Sequence, residues 1–439
     1  MFSIINLQSK ILLNKIKGGF SMYYSTTDVY QSKRKIVNFS KSLVPKENKV
    51  ERKFVADSIF GILSSKSVIL SDMAKALKEP IKVVNTVERL GQNLGKDLSP
   101  QIDENYTRQI VKNIEEDPVI LVDDSDIVKP HGQAFEDLGI VRDGSSKENK
   151  YEKGYMVTEI VGLSKENKQP LSLFSHIHSS KEKSYKSTNT VTFNGLEKVI
   201  ESINGKGTFV FDRGYDMNSM FQFMHEKDQY YIIRLTERRK LFWKGKWYKS
   251  TTLRDSRKGK VRMTLTFRNK GKESKVVTYV SHLNVKVTAN REPVWLVLVY
   301  GLGEKPMMLA TNKPIKNKED LKRIVYTYMS RWRIEEYFRF KKQSFSFENF
   351  RVRSLKAINN LNSLLTYAIG LIGIMAENKN RLTNILITNA RGIRKTVWFY
   401  YYRIADGLYK TLNYARTGIK DWFPVRDSGP RQLEFDLAC

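Results

Sequence analysis

The chain has 439 residues, with 76 Lys and Arg against 46 Asp and Glu, a formal net charge of +30 that points to a polyanionic partner. Hydrophobic residues make up 41% and aromatic residues 11%, enough to bury real cores and to exclude global disorder, and the length suits about two to four domains. The one cysteine, Cys439, excludes a disulfide framework or a Cys-rich zinc site, and five scattered histidines build no metal site without carboxylates.

The opening stretch MFSIINLQSKILLNKIKGGF interrupts its apolar run with Lys10, Lys15 and Lys17, so it does not read as a signal peptide. Residues 1–110 have helical periodicity. Within them SVILSDMAKALKEPIKVVNTVERLGQNL breaks once, at Glu79-Pro80, and predicts two short helices. These fit either a helix-turn-helix placing residues 81–94 in a DNA groove or a helical hairpin packed on the next domain.

From Asp117 the pattern becomes extended. VILVD (119–123), GYMVTEIVGL (154–163) and QPLSLFSHIHS (169–179) predict strands, followed by a helix over 192–203, the strand TFVFD (208–212), a helix over 217–227 and the strand YYIIRL (230–235). Three strands, helix, strand, helix, strand is the order of a ribonuclease H-like α/β fold: a mixed five-stranded sheet with flanking helices, its first and fourth strands each ending in an acid. Residues 240–312 predict an inserted all-β subdomain that splits this domain into 117–239 and 313–376. Residues 377–439 read as a basic, aromatic helical region. LNSLLTYAIGLIGIMA (361–376) is short for a bilayer span and suits a buried helix.

The helix NKEDLKRIVYTYMSRWRIEEYFRFKK has Asn317 as its expected N-cap. At about 100° per residue, Tyr328, Arg331, Glu335 and Lys342 fall within a sector of about 60°, whereas Glu336 points about 100° away from Glu335. One phenol, one carboxylate and two cations in a stripe suit a groove that holds a phosphate backbone beside a metal. Asp123, Asp212 and Glu335 are hard oxygen donors of the type that bind Mg²⁺ or Mn²⁺, and a pair of such ions drives phosphodiester chemistry.

YMSRWRIEEYFRFKK has the Tyr, Arg, Glu and Lys spacing of the YREK signature, and VDDSD and FDRGYD resemble the first and second acid motifs that accompany it. Over about residues 117–370 the chain therefore resembles the DDE transposases of bacterial insertion sequences. The resemblance implies that Asp123, Asp212 and Glu335 bind two catalytic Mg²⁺ ions, with Mn²⁺ as a substitute. Tyr328, Arg331 and Lys342, with Trp332 and Arg333 beside them, would contact DNA and a displaced base. It further implies double-stranded DNA partners (terminal inverted repeats and a target), cleavage and 3′-end transfer, a homodimer on paired ends, no membrane, and a cytoplasmic, nucleoid-associated location. Residues 1–110 would bind DNA. Met307 stands where relatives carry a base-wedging Trp, leaving Trp295, Trp243 and Trp247 as substitutes. Rival readings are a ribonuclease H-like structure-selective nuclease and a catalytically silent DNA-binding derivative.

Overall fold

Every strand expected in the central sheet forms, because each carries an apolar run that only a sheet buried on both faces can cover. The structure, a computed structural model, describes residues 26–144, 146, 148, 150–269, 272–390 and 399–423. Strands β1 (Val119–Val128), β2 (Gly139–Arg142), β3 (Tyr151–Leu163), β4 (Pro170–His178), β5 (Thr208–Phe211) and β6 (Tyr230–Arg234) are joined by helices α6 (Thr188–Ser202) and α7 (Asn218–Glu226). β3 lies antiparallel between β1 and β4, and β5 and β6 extend the sheet parallel to β1. This is the ribonuclease H-like arrangement. Leu121, Val122, Phe209, Phe211, Ile232 and Ile233 are fully buried in it.

Residues 240–312 do not separate from this sheet. They supply β7 (Lys240–Trp243), β8 (Lys246–Lys249), β9 (Val261–Asn269), β10 (Lys272–Val287), β11 (Glu292–Tyr300) and β12 (Met307–Thr311). Because β12 pairs with β6, with Ala310 opposite Ile233, one sheet of twelve strands results. A short helix, α8 (Ser250–Asp255), interrupts the region that reads as wholly β.

The expected N-terminal helices are α1 (Thr26–Leu43), α2 (Lys49–Ser65), α3 (Leu70–Leu77), α4 (Val83–Leu94) and α5 (Pro100–Val111). A buried ionic cluster joins the α3–α4 turn to α2: Asp57 receives Lys53 (2.5 Å) and Arg89 (2.8 Å), and Glu79 receives Arg89 (2.8 Å). The third-acid segment forms α9 (Lys318–Met329) and α10 (Trp332–Phe345), followed by α11 (Leu355–Glu377), α12 (Arg381–Asn389) and α13 (Tyr401–Asn413). The chain's two ends meet: Lys66 pairs with Asp406 at 2.5 Å and Lys33 donates to the Thr417 carbonyl at 2.6 Å. α11 is long and apolar enough to cross a membrane, but most of that stretch is buried inside the fold. Phe399, Tyr401 and Tyr402 pack around Phe340 of α10 at 5.0 to 5.9 Å, so this part of the aromatic run is helix packing; Trp398, Arg391, Arg394 and Lys395 lie outside the described residues.

Candidate active site

Sheet register brings the first two acids together. Val122 of β1 pairs with Phe211 of β5, so Asp123 and Asp212 are the next residues on adjacent parallel strands, about 4.8 Å apart at the backbone. Asp212 caps a 3-10 turn, Arg213–Tyr215, by accepting the Arg213 amide proton at 2.6 Å. That turn aims Tyr215 at the neighbouring Asp124, whose carboxylate takes the Tyr215 phenol at 2.8 Å and the Thr158 hydroxyl at 2.5 Å. Asp124 is thereby committed to structure, and burial raises its pKa. Asp216, which the sequence suggests as a helix cap, is instead a fully buried brace: Met217 is the N-cap of α7, while Asp216 accepts from the Thr236 amide (2.7 Å) and Arg239 Nε (2.7 Å).

The third acid arrives on a helix that is not continuous. Asn317 caps α9 as expected, accepting from the Glu319 and Asp320 amides. At Ser330 and Arg331 the backbone tightens into i to i+3 bonds (Arg333 N to Ser330 O, 2.9 Å; Ile334 N to Arg331 O, 3.1 Å) before α10 resumes. The single stripe is therefore divided. Tyr328 is buried and turned into a groove with Arg234 and Met307. Arg331 and Glu335 stay neighbours across the break, and Lys342 reaches Asp126 (3.7 Å) and Glu348 (3.1 Å).

Arg331 ties the constellation together. Its guanidinium donates to Asp123 at 3.2 Å and to Glu335, and the Asp212 charge acts on both Arg331 and Asp123. Burial pushes the Asp123 carboxyl up to about 7, against the pull of Arg331, with Asp124 and Asp212 adding to the rise. Burial works against the Arg331 charge, but Asp123 and Glu335 outweigh it and hold the guanidinium protonated. Glu336 turns away as expected, pairing with Arg339.

Three of the expected DNA contacts need separate comment. Trp332 is 37% exposed and lines a groove of about 690 Å³ with Tyr328, Arg331 and Met307. Arg333 is buried, 6% exposed, with its guanidinium 4.8 Å from the Trp332 ring centre; it packs inward because it sits on the α10 face that meets the core. Trp295 packs on His282 and Trp243 on Tyr248, and neither lines this groove, nor does Trp247.

The sequence reading missed Glu159 and Lys341. Both side chains are fully buried and meet at 3.0 Å, with Ser175 donating to Glu159 at 2.8 Å. Glu159 sits opposite Asp123 in the β1–β3 register, so both point to the face that α10 covers. The signal was a lone carboxylate in the apolar strand VTEIVGL, which needs a buried partner.

Among the described residues no group of three carboxylates or histidines already stands as a formed metal site. The donor chemistry nevertheless suits a hard divalent ion: Asp123, Asp212 and Glu335 offer only oxygen, and the cation that now joins Asp123 to Glu335 is a side chain, Arg331. No curated protein matches the chain. A solved structure of a piggyBac transposase synaptic complex with hairpin DNA is similar at 9% sequence identity, with a TM-score of 0.41, over 94% of this chain and 86% of that one. The family model of the transposase DDE domain matches residues 114–371, well over half of the chain and inclusive of all three acids. The chain belongs to the DDE transposase family.

Proposed function

We propose that this transposase binds the terminal inverted repeats of a mobile DNA element, cuts at their ends with divalent metal and joins the 3′ ends to target DNA. The observation that carries the reading is the shared guanidinium of Arg331, on which Asp123 and Glu335 converge beside Asp212. Asp123, Asp212 and Glu335 would hold two Mg²⁺ ions, or Mn²⁺, which when bound supply an activated water or 3′-hydroxyl and neutralise the leaving oxygen.

The chain's own residues do the rest. An ion on Asp123 and Glu335 competes with Arg331 for the same oxygens, so loading frees a guanidinium beside the acids to grip a phosphate by paired hydrogen bonds. Lys342 adds a point charge on the β1 side. Tyr328, Met307 and Trp332 wall a groove that suits a displaced base, Trp332 being the aromatic there. A DNA-reading role for the α3–α4 pair is supported by exposure of Ile81, Val83 and Val84, apolar side chains that match thymine methyl groups in a major groove. Paired ends call for two copies of the chain, so the working form is a homodimer.

The test is a single-turnover assay on duplexes copied from the two ends of the DNA segment that encodes the chain. Wild-type protein with Mg²⁺ should nick and join them, and Asp212→Asn or Glu335→Gln should lose about 10³-fold or more. Wild-type rates in either variant would remove the acids from the chemistry. Nicking without any joined product would favour the structure-selective nuclease.

A further inference from the structure

We propose that the unpaired strand of DNA flanking the cut leaves the acids across the end of β6 and runs in a basic channel that ends on Trp247. The inference rests on the transposase reading and adds to it a place for the DNA beyond the cleavage point.

The ends of β1, β5 and β6 lie side by side, in that order. Asp123 and Asp212 stand in the middle. Lys342 flanks them on the β1 side through Asp126, so a strand that passes the acids exits on the other side, over Arg234 at the end of β6. Three grooves follow one another from there through shared walls. The first is the groove of Tyr328 and Arg331. The second, about 420 Å³, shares Arg234, Lys305 and Met307 with it and adds Arg213. The third, about 590 Å³, shares Thr236 with the second and opens onto Arg238, Lys240 and Trp247.

Charge along this path suits a phosphate backbone. Its two carboxylates are already matched, Asp216 by Arg239 at 2.7 Å and Glu237 by Lys305 at 3.0 Å. Among the described residues Arg213, Arg234, Arg238 and Lys240 form no ion pair with a carboxylate, so the path carries surplus positive charge. Its far end is aromatic. Trp247 is 44% exposed and is held from one side by Phe242, edge to face at 5.4 Å, under which Arg291 is stacked at 4.4 Å. A supported Trp with a free face beside unpaired cations is the pairing that binds single strands, since an unpaired base offers a face to stack on and a base within a duplex does not.

The experiment uses the full chain and three DNAs: an end with no flank, with a ten-nucleotide single-stranded flank, and with a duplex flank of equal length. A 2-aminopurine in the single-stranded flank reports stacking. Wild-type protein should bind the single-stranded flank more tightly than the bare end and quench the 2-aminopurine. Trp247→Ala, and separately Arg238→Ala with Lys240→Ala, should weaken that form about tenfold and leave the bare end unchanged, and Trp247→Phe should restore most of the quenching. Equal loss on all three DNAs, no loss on any, or loss confined to the duplex flank overturns the proposal. Asp212→Asn separates the two readings: it should stop cleavage and keep the flank preference, whereas undiminished cleavage would sink the transposase mechanism whatever Trp247 does.

Discussion

Asp123 lies between two other carboxylates and one guanidinium, and its protonation decides how much negative charge the pocket holds. Its carboxyl is pushed up to about 7 in the fold, against about 3.9 in an unfolded chain. The folded protein therefore binds the extra proton between about pH 4 and pH 7; stability contributed by that proton is full at low pH, is lost as pH rises through this window, and changes no further above it. In metal-free protein, Asp123→Asn should flatten the fall, gaining roughly 1–3 kcal/mol over wild type at pH 8 and little at pH 4. Urea melts at the two pH values read this directly, and a parallel pH dependence in both proteins would show that Asp123 is not the strained group. At this scale the sequence was informative about kinds of residue and weak about choices among neighbours. VDDSD offers three acids, and composition cannot say that Tyr215 and Thr158 occupy Asp124 while Asp123 is left for Arg331; only the family motif selected it.

The α9–α10 break and the Glu159–Lys341 pair belong to the element scale. Helical periodicity placed Arg331 and Glu335 together correctly, because their i, i+4 spacing survives the tightened turn. It misplaced Tyr328, since a 3-10 segment rotates everything before it relative to everything after. Lys341 was illegible for another reason: two adjacent lysines near a helix end read as solvent-facing, yet one of them is fully buried on Glu159 and fixes α10 to the sheet that carries Asp123. Removing one partner leaves an uncompensated buried charge. Lys341→Met should cost about 3–5 kcal/mol, and the double change Glu159→Gln with Lys341→Met distinctly less. Urea denaturation of the four proteins of this cycle measures it; a neutral single change, or strictly additive losses, would mean that the pair does not hold the helix.

Over the whole molecule, chain order foretold the five-stranded centre but not how far the sheet extends. Nothing local to PMMLAT announces that β12 will pair with β6 and fuse the inserted strands to the catalytic sheet, nor does helical periodicity tell that the first and last helices will pack on one another through Lys66 and Asp406. Long-range pairing of this kind is decided by complementary faces that only the assembled fold presents. The same long-range closure makes the site, since Asp123, Asp212 and Glu335 come from three separated segments of a chain with a net charge of +30. Convergence is best tested by titrating Mn²⁺ into the full-length protein without DNA, following bound ion by electron paramagnetic resonance, for wild type and for Asp123→Asn, Asp212→Asn and Glu335→Gln. One shared pocket requires that each change alone weaken the same binding event by about tenfold or more; wild-type affinity and stoichiometry in any one of the three would place that acid outside the pocket and contradict the assignment.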